Sequence, residues 1–242
     1  MIKGIYTSAS GMIPRIKKQE ISANNLANVS TPGFKRDTIF TRELTRAQQK
    51  QIPRKSDWQQ PMVDEVFTDY DAGVFQKTGN PLDLAIEGDG FFPLRTSDGG
   101  TALTRSGSFT INPEGLLAFG DMPVLGEGGE IEIGSGQVSI AETGEVEVDG
   151  SIVGRIVPQT IADLSDLEKI GGSLFAVPED AEMIAVDKSS ILQGFVESSN
   201  VNVVREMIDM IVAFRTYEAN SKAIQSQDES LQHLFGRVGP RG

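Results

Sequence analysis

The sequence predicts an α+β protein: paired N- and C-terminal α-helices of coiled-coil type, with a central all-β domain between them. Two observations carry that reading. Apolar residues near each terminus recur at three-, four- and seven-residue steps, the repeat of a helical stripe. Between them, turn clusters such as Gly79-Asn80-Pro81, Asp98-Gly99-Gly100, Asn112-Pro113-Glu114-Gly115, Gly126-Glu127-Gly128-Gly129 and Asp149-Gly150 separate short apolar segments, the punctuation of strands.

In the first helix, Ile5, Ala9, Met12, Ile16, Ala23 and Leu26 fall along one stripe. Pro14 interrupts it, because an interior proline loses a hydrogen bond and clashes with the preceding turn at a cost of roughly 3 kcal/mol. A break or kink between Thr7 and Pro14 is therefore expected, with Ser10 capping a restarted helix. Asn24, Asn25 and Asn28 cluster within one turn although asparagine favours caps and turns. One reading is a helix winding down before Thr31-Pro32-Gly33. The other is a set of amides that hydrogen-bond to a neighbouring helix and fix its register.

Residues 41–78, rich in Gln, Lys, Arg and Asp with Pro53 and Pro61, read as an extended linker. A strand is expected where Leu82, Leu84 and Ile86 alternate with Asp83, Ala85 and Glu87. Others are expected at Phe109–Ile111, Leu116–Phe119, Ile131–Ile133, Val146–Val148, Ile152–Val157, Leu174–Val177 and Ile191–Val196. A short helix is expected over Asp163–Ile170, with Leu164 and Leu167 facing inward. The whole reads as a sandwich or barrel-like body.

At the C-terminus, Val203, Met207, Met210, Phe214, Tyr217, Ser221, Ile224, Asp228, Leu231 and Phe235 form a heptad seam. One helix from Val201 to Leu234 would extend roughly 50 Å, so it must project from the body or stack on other chains. Ser221 and Asp228 place polar groups on the seam, which trades stability for register.

Composition removes several classes of function. The absence of cysteine excludes disulfides and thiolate chemistry. No apolar run is long enough to span a membrane, and the start lacks the apolar core of a secretory signal, so export without a cleaved signal is the expectation if the chain leaves the cytosol. The net charge is −12, and it is unevenly spread. Residues 1–60 carry 11 Lys/Arg against 4 acids, whereas residues 61–200 carry 6 against 25. An acidic body argues against nucleic acid, while a basic end beside an acidic middle suits staggered contacts between copies. The single histidine, His233, flanks the helical seam and suits catalysis poorly. Glu145, Glu147 and Asp149 share one strand face, but carboxylates on one strand cannot flank a scissile bond by themselves. Gly126-x-Gly128-Gly129 lacks the third glycine and following helix of a dinucleotide loop and reads as a turn. No catalytic residue, metal ligand, cofactor or small-molecule substrate is expected.

Three ordered motifs resemble the flagellar rod and hook family. They are YTSASGM with ANNLANVSTPGFK, NPLDLAIEGDGFF with LTRSGSFTINPEGLL, and SSNVNVVREMIDMIVAFRTYEANSKAI. The segment Met122–Ile131 is more similar to proximal-rod than to distal-rod members, EANSKAI is similar to the distal-rod pattern, and Pro14 and Lys17-Lys18 depart from the commonest N-terminal pattern of the family. The resemblance implies an inner tube domain built from residues 1–40 and 199–242, a linker over 41–78 and a β-rich outer domain over 79–198. It implies a structural subunit, exported unfolded through the flagellar type III gate and stacked in the periplasm into a torque-carrying tube with copies of itself and other rod proteins. Ile5, Met12, Ile16, Asn24, Asn25, Leu26 and Asn28 would then form the assembly interface with Ser199, Asn200, Val201, Asn202 and the C-terminal seam. Phe40 and Leu44 match the short export-gate pattern. A free monomer is expected to be trimmed by protease toward residues 75–200. The alternatives are a distal-rod or hook-type subunit and, remotely, a periplasmic peptidoglycan hydrolase.

Overall fold

Residues 2–44, 60–178, 180–186 and 188–238 are described by the computed structural model. They fall into two units: residues 1–27, 37–69 and 202–242 belong to a helical unit, and residues 28–36 and 70–201 to a β unit. The units therefore do not follow the boundaries at 40 and 198 read from the sequence. Residues 28–36 and 199–201, expected with the helices, belong to the β unit.

In the helical unit, α1 runs from Ile2 to Ala27 and α2 from Val203 to Val238, and the two pack against each other. The expected break before Pro14 is absent, for the helix passes through it. Pro14 is buried, and the apolar contact of its ring offsets part of the cost of the missing hydrogen bond. Lys18 Nζ reaches Asp209 Oδ1 at 3.2 Å, tying the helices together. At Gly11 the helices leave no spare room, since an added Cβ would lie 3.3 Å from Asn220 Nδ2.

Asn202 starts α2 as its cap. Its Oδ1 accepts from Arg205 N at 3.0 Å, and its backbone oxygen accepts the first helical bond from Glu206 N. At 36 residues, α2 is about 54 Å long at 1.5 Å per residue. An antiparallel hairpin of Asp37–Leu44 and Gln60–Thr68, with a register shift between Phe40 and Thr41, packs on α1. This strand pair occupies part of the segment read from sequence as a linker; Pro61 and the broken alternation of Met62, Val63, Val66 and Phe67 hid the second strand.

The β unit consists of small antiparallel sheets. The largest has four strands in the order Glu168–Gly171, Leu174–Ala176, Thr101–Thr104, Phe92–Arg95. Because side chains alternate across a strand, this sheet serves two cores. Phe92, Leu94 and Ala102 join Leu84, Ile86, Phe109, Leu117, Val124, Val146 and Ile156 in one of them. Leu103 and Phe175 join Phe91, Ile161 and Leu167 in the other. Phe92 and Phe109 meet edge to face at 5.1 Å, and Tyr70, Phe91 and Phe175 form an aromatic cluster in the second core.

Leu84–Glu87 pairs with Ser190–Gln193, Phe75–Lys77 with Phe195–Glu197, and Glu145–Val148 lies between Val138–Ile140 and Ser151–Arg155. The expected strand Ile191–Val196 is thus two strands, separated at Gly194, whose φ of 80° breaks the extended backbone. Ile131–Ile133 forms no strand; Glu132 makes only a bridge to Leu116. The expected helix over Asp163–Ile170 is a single 3-10 turn, Leu164–Asp166, followed by a strand. Asp163 caps that turn by accepting from Ser165 N at 2.9 Å, and Leu167 is buried as its spacing suggested.

Candidate assembly interface

The shielded line of α2 differs from the seam read from sequence in every second position. Met210, Tyr217, Ile224 and Leu231 are half-buried as the seam requires. Their partners along the line are Glu206 and Ala213, both buried, with Asn220 and Gln227, rather than Met207, Phe214, Ser221 and Asp228. Ser221 is half-buried, whereas Val203, Met207, Phe214 and Asp228 are exposed, and Phe235 lies outside the described side chains. The alternative line is still a three–four repeat, but small or polar residues let the backbones approach, and the large apolar side chains turn outward.

That rotation leaves an apolar face on α2. Val204 is 66% exposed, Ile208 55%, Ile211 54%, Phe214 53%, Val212 50% and Met207 49%. On α1, Ile13 is 64% and Ile16 43% exposed, while Met12 is half-buried; the side chain of Ile5 lies outside the described residues. Scattered exposed leucines and isoleucines are ordinary, but six large apolar residues within eleven positions of one helix form a contiguous sticky face.

Asn25 and Asn200 are engaged with backbone of their own chain. Asn25, fully buried, donates from Nδ2 to Asp37 O at 2.8 Å and accepts at Oδ1 from Asp37 N at 2.9 Å, so it pins the start of the hairpin and not a helix. Asn28 closes a turn with Thr31, accepting from its N at 3.1 Å and its Oγ1 at 3.3 Å. Asn24 is exposed and Leu26 half-buried. Asn200 accepts from Arg36 N at 2.8 Å and donates to Asp71 O at 3.0 Å, Ser199 Oγ accepts from Val201 N at 3.3 Å, and Val201 is buried. The side chains of Phe40 and Leu44 lie outside the described residues.

Sequence reasoning missed Lys35, Glu197 and Arg105. Lys35 and Glu197 are wholly buried in the β unit and Arg105 is 5% exposed. Lys35 Nζ lies 2.6 Å from Glu197 Oε1, and Arg105 Nη1 lies 3.4 Å from Glu197 Oε2. Burial holds the Arg105 guanidinium below its usual range, opposed by the charges of Glu197 and Asp89. The only sequence signal was a lysine directly after the buried Gly33-Phe34, and nothing marked Glu197 as its partner.

Glu145 and Glu147 are exposed on their strand. Asp149 accepts from Gln137 N at 2.9 Å and holds a positive φ of 51°, which gives it a turn-locking role. Among the described residues no group of three or more His, Asp and Glu is placed to hold a metal ion, and no helix is long and apolar enough to cross a membrane. His233 is exposed.

Residues 5–35 match the family described as Flagella basal body rod protein, residues 85–148 the Flagellar hook protein FlgE/F/G D1 domain, and residues 192–235 the Flagellar basal body rod FlgEFG protein C-terminal. The chain is 33% identical to the flagellar basal-body rod protein FlgF of Caulobacter vibrioides, over 99% of each chain. It belongs to the flagellar basal-body rod family. It is also 32% identical to the rod protein FlgG of Bacillus subtilis, over 97% of this chain and 98% of that one, and 28% identical to FlgF of Escherichia coli, over 95% and 96%. In this rod-family chain, Lys35 and Glu197 each fall inside a matched segment, at the end of the first and near the start of the last.

Proposed function

We propose that this chain is a structural subunit of the bacterial flagellar basal-body rod, self-assembling through its helices into a tube that carries torque from motor to hook. The observation that carries this reading is the apolar face of α2 from Val204 to Phe214, left in water by a single chain. Each such side chain gains about 1.5–3 kcal/mol when fully buried, so many modest contacts repeated along a helical lattice add to a stiff tube. Ile5, Ile16, Met207, Phe214 and Asp228 serve this contact together with Val204, Ile208, Ile211 and Val212, while Met12, Met210, Tyr217, Ser221, Ile224 and Leu231, half-buried within the chain, support it by holding the helices that present the face. Asn24, Asn25, Leu26 and Asn28, with Ser199, Asn200, Val201 and Asn202, support it by fixing the backbone of each unit.

The proximal rod is the favoured position. The match to FlgF of Caulobacter vibrioides needs 243 aligned positions for 99% of both chains, close to the 242 residues present, whereas the match to FlgG of Bacillus subtilis needs 268. The chain therefore lacks insertions that separate it from the FlgG relatives. Export through the type III gate without a cleaved signal, with Phe40 and Leu44 as recognition residues, and a final position in the periplasm complete the reading. The role is mechanical and needs no catalysis, cofactor or small-molecule substrate.

The test is Ile211→Asp, made in the organism that carries the chain. A folded, exported variant that gives non-motile cells without a completed rod supports the proposal. Normal swimming and intact basal bodies would refute it.

A further inference from the structure

The β unit is assembled around a segment that comes from far away in sequence. Gly33 N donates to Glu197 O at 2.7 Å, Phe34 is 1% exposed, and Lys169 Nζ both lies 3.9 Å from the Phe34 ring centroid and donates to Lys35 O at 2.6 Å. A side chain at Gly33 would collide with the backbone of Arg105 and Ser106, and the φ of 67° there also favours glycine. Lys35 Nζ also donates to Asp71 O at 2.8 Å, and Glu197 Oε1 accepts a further bond from Gly73 N at 2.8 Å. Arg105 also donates from Nη1 to Ile86 O and from Nη2 to Gly88 O, at 3.0 and 2.6 Å. One carboxylate thus gathers two buried cations and a half-buried amide from three separate stretches of chain.

We infer that the Lys35–Glu197–Arg105 cluster is a latch that makes folding of the β unit conditional on residues 28–36 being seated in it. The physical ground is the cost of an incomplete cluster. A buried ion pair contributes little net stability when complete, but removing one partner leaves a buried charge without its counterion. With the segment unseated, Glu197 loses Lys35 and the donor at Gly33, and the backbone of Arg105 and Ser106 loses the packing of Gly33. The open unit is therefore not a stable resting state, and seating and folding occur together. Lys35 and Glu197 stand 162 residues apart, so a growing chain keeps its β unit open until its last strand, Phe195–Glu197, is available. This also alters the proteolysis expected from sequence: a fragment of residues 75–200 lacks the seated segment and does not persist as a folded core.

Native-state hydrogen exchange on the full chain tests the latch, and needs no variant for its first arm. The amides of Gly33 and Arg36 should open with the same denaturant dependence as those of the strands Thr101–Thr104 and Leu174–Ala176. If they exchange by a local opening that is insensitive to denaturant, while the strands stay protected, the latch is refuted. In the second arm, Lys35→Met and Glu197→Gln keep size and lose charge. Each should speed exchange of the segment and of the strands together, by roughly a hundredfold or more. Faster exchange confined to residues 28–36 would overturn the inference. The readout is folding alone, so it is independent of whether the chain builds a rod.

Discussion

Asn25 pairs with Asp37 through both ends of its amide, donating to the backbone oxygen and accepting from the backbone nitrogen at 2.8 and 2.9 Å in a fully buried setting. This is the pairing a neighbouring β-strand would make, supplied by a helical side chain. Truncation to alanine leaves a donor and an acceptor buried without partners, at about 1–3 kcal/mol for an unsatisfied group. Asn25→Ala should lower the stability of the helical unit by that amount, read as a lower denaturant midpoint of far-ultraviolet circular dichroism. Asn25→Asp, which loses the donor and turns a second acceptor toward Asp37 O, should be no milder.

Asn202 should behave as a separable cap. Asn202→Ala removes the acceptor for Arg205 N and should cost roughly 0.5–2 kcal/mol, whereas Asn202→Ser, which keeps a capping oxygen, should cost a few tenths. Thermal unfolding of the two variants side by side checks the order. Equal losses would mean that the bond to Arg205 N contributes nothing.

Gly33 is restricted twice, by its positive φ and by the backbone packed against it. Gly33→Ala should destabilise the β unit by more than the roughly 1 kcal/mol that separates glycine from alanine in unstrained positions. Gly128, where an added Cβ meets nothing within 4 Å and no positive φ is required, is the control, and Gly128→Ala should be close to neutral. Urea titrations of both variants make the comparison.

Limited proteolysis separates the two accounts of the free chain. The sequence alone suggests a product of about residues 75–200, because both helices have faces that a monomer cannot cover. The seating of Gly33, Phe34 and Lys35 predicts instead that the stable product retains residues 28–36, either joined to the β unit or held to it after a cut elsewhere. Mass spectrometry of the native digest distinguishes these results.

The fold was legible where local chemistry and tertiary context agree. Leu84–Glu87 alternates and became a strand, Asn202 stands before a heptad and became a cap, and Asn112-Pro113-Glu114-Gly115 marks a turn that the structure contains. It was misleading where burial overrides propensity: Pro14 sits inside a helix, and Glu168–Gly171 is a strand because it pairs with Leu174–Ala176. The candidate interface was half legible. The heptad set Met210, Tyr217, Ile224 and Leu231 on one line, and all four are half-buried in the chain, but a repeat cannot say which adjacent register a partner helix selects. Ala213 and Glu206 gave no apolar signal of their own. The Lys35–Glu197 pair was invisible, because charge alone does not reveal a partner 162 residues away.

On the proposed reading, the outward face of α2 matters for assembly and not for monomer stability. Ile211→Asp replaces an exposed side chain, so its unfolding free energy should stay within about 0.5 kcal/mol of the parent. The central claim, that this face is covered by other subunits in a rod, is tested most directly by cryo-electron microscopy of intact basal bodies at side-chain resolution. The account predicts density for this chain in the rod, with Ile208, Ile211 and Phe214 packed against a neighbouring subunit. Absence of the chain from the axial structure, or its presence with that face in water, would contradict it.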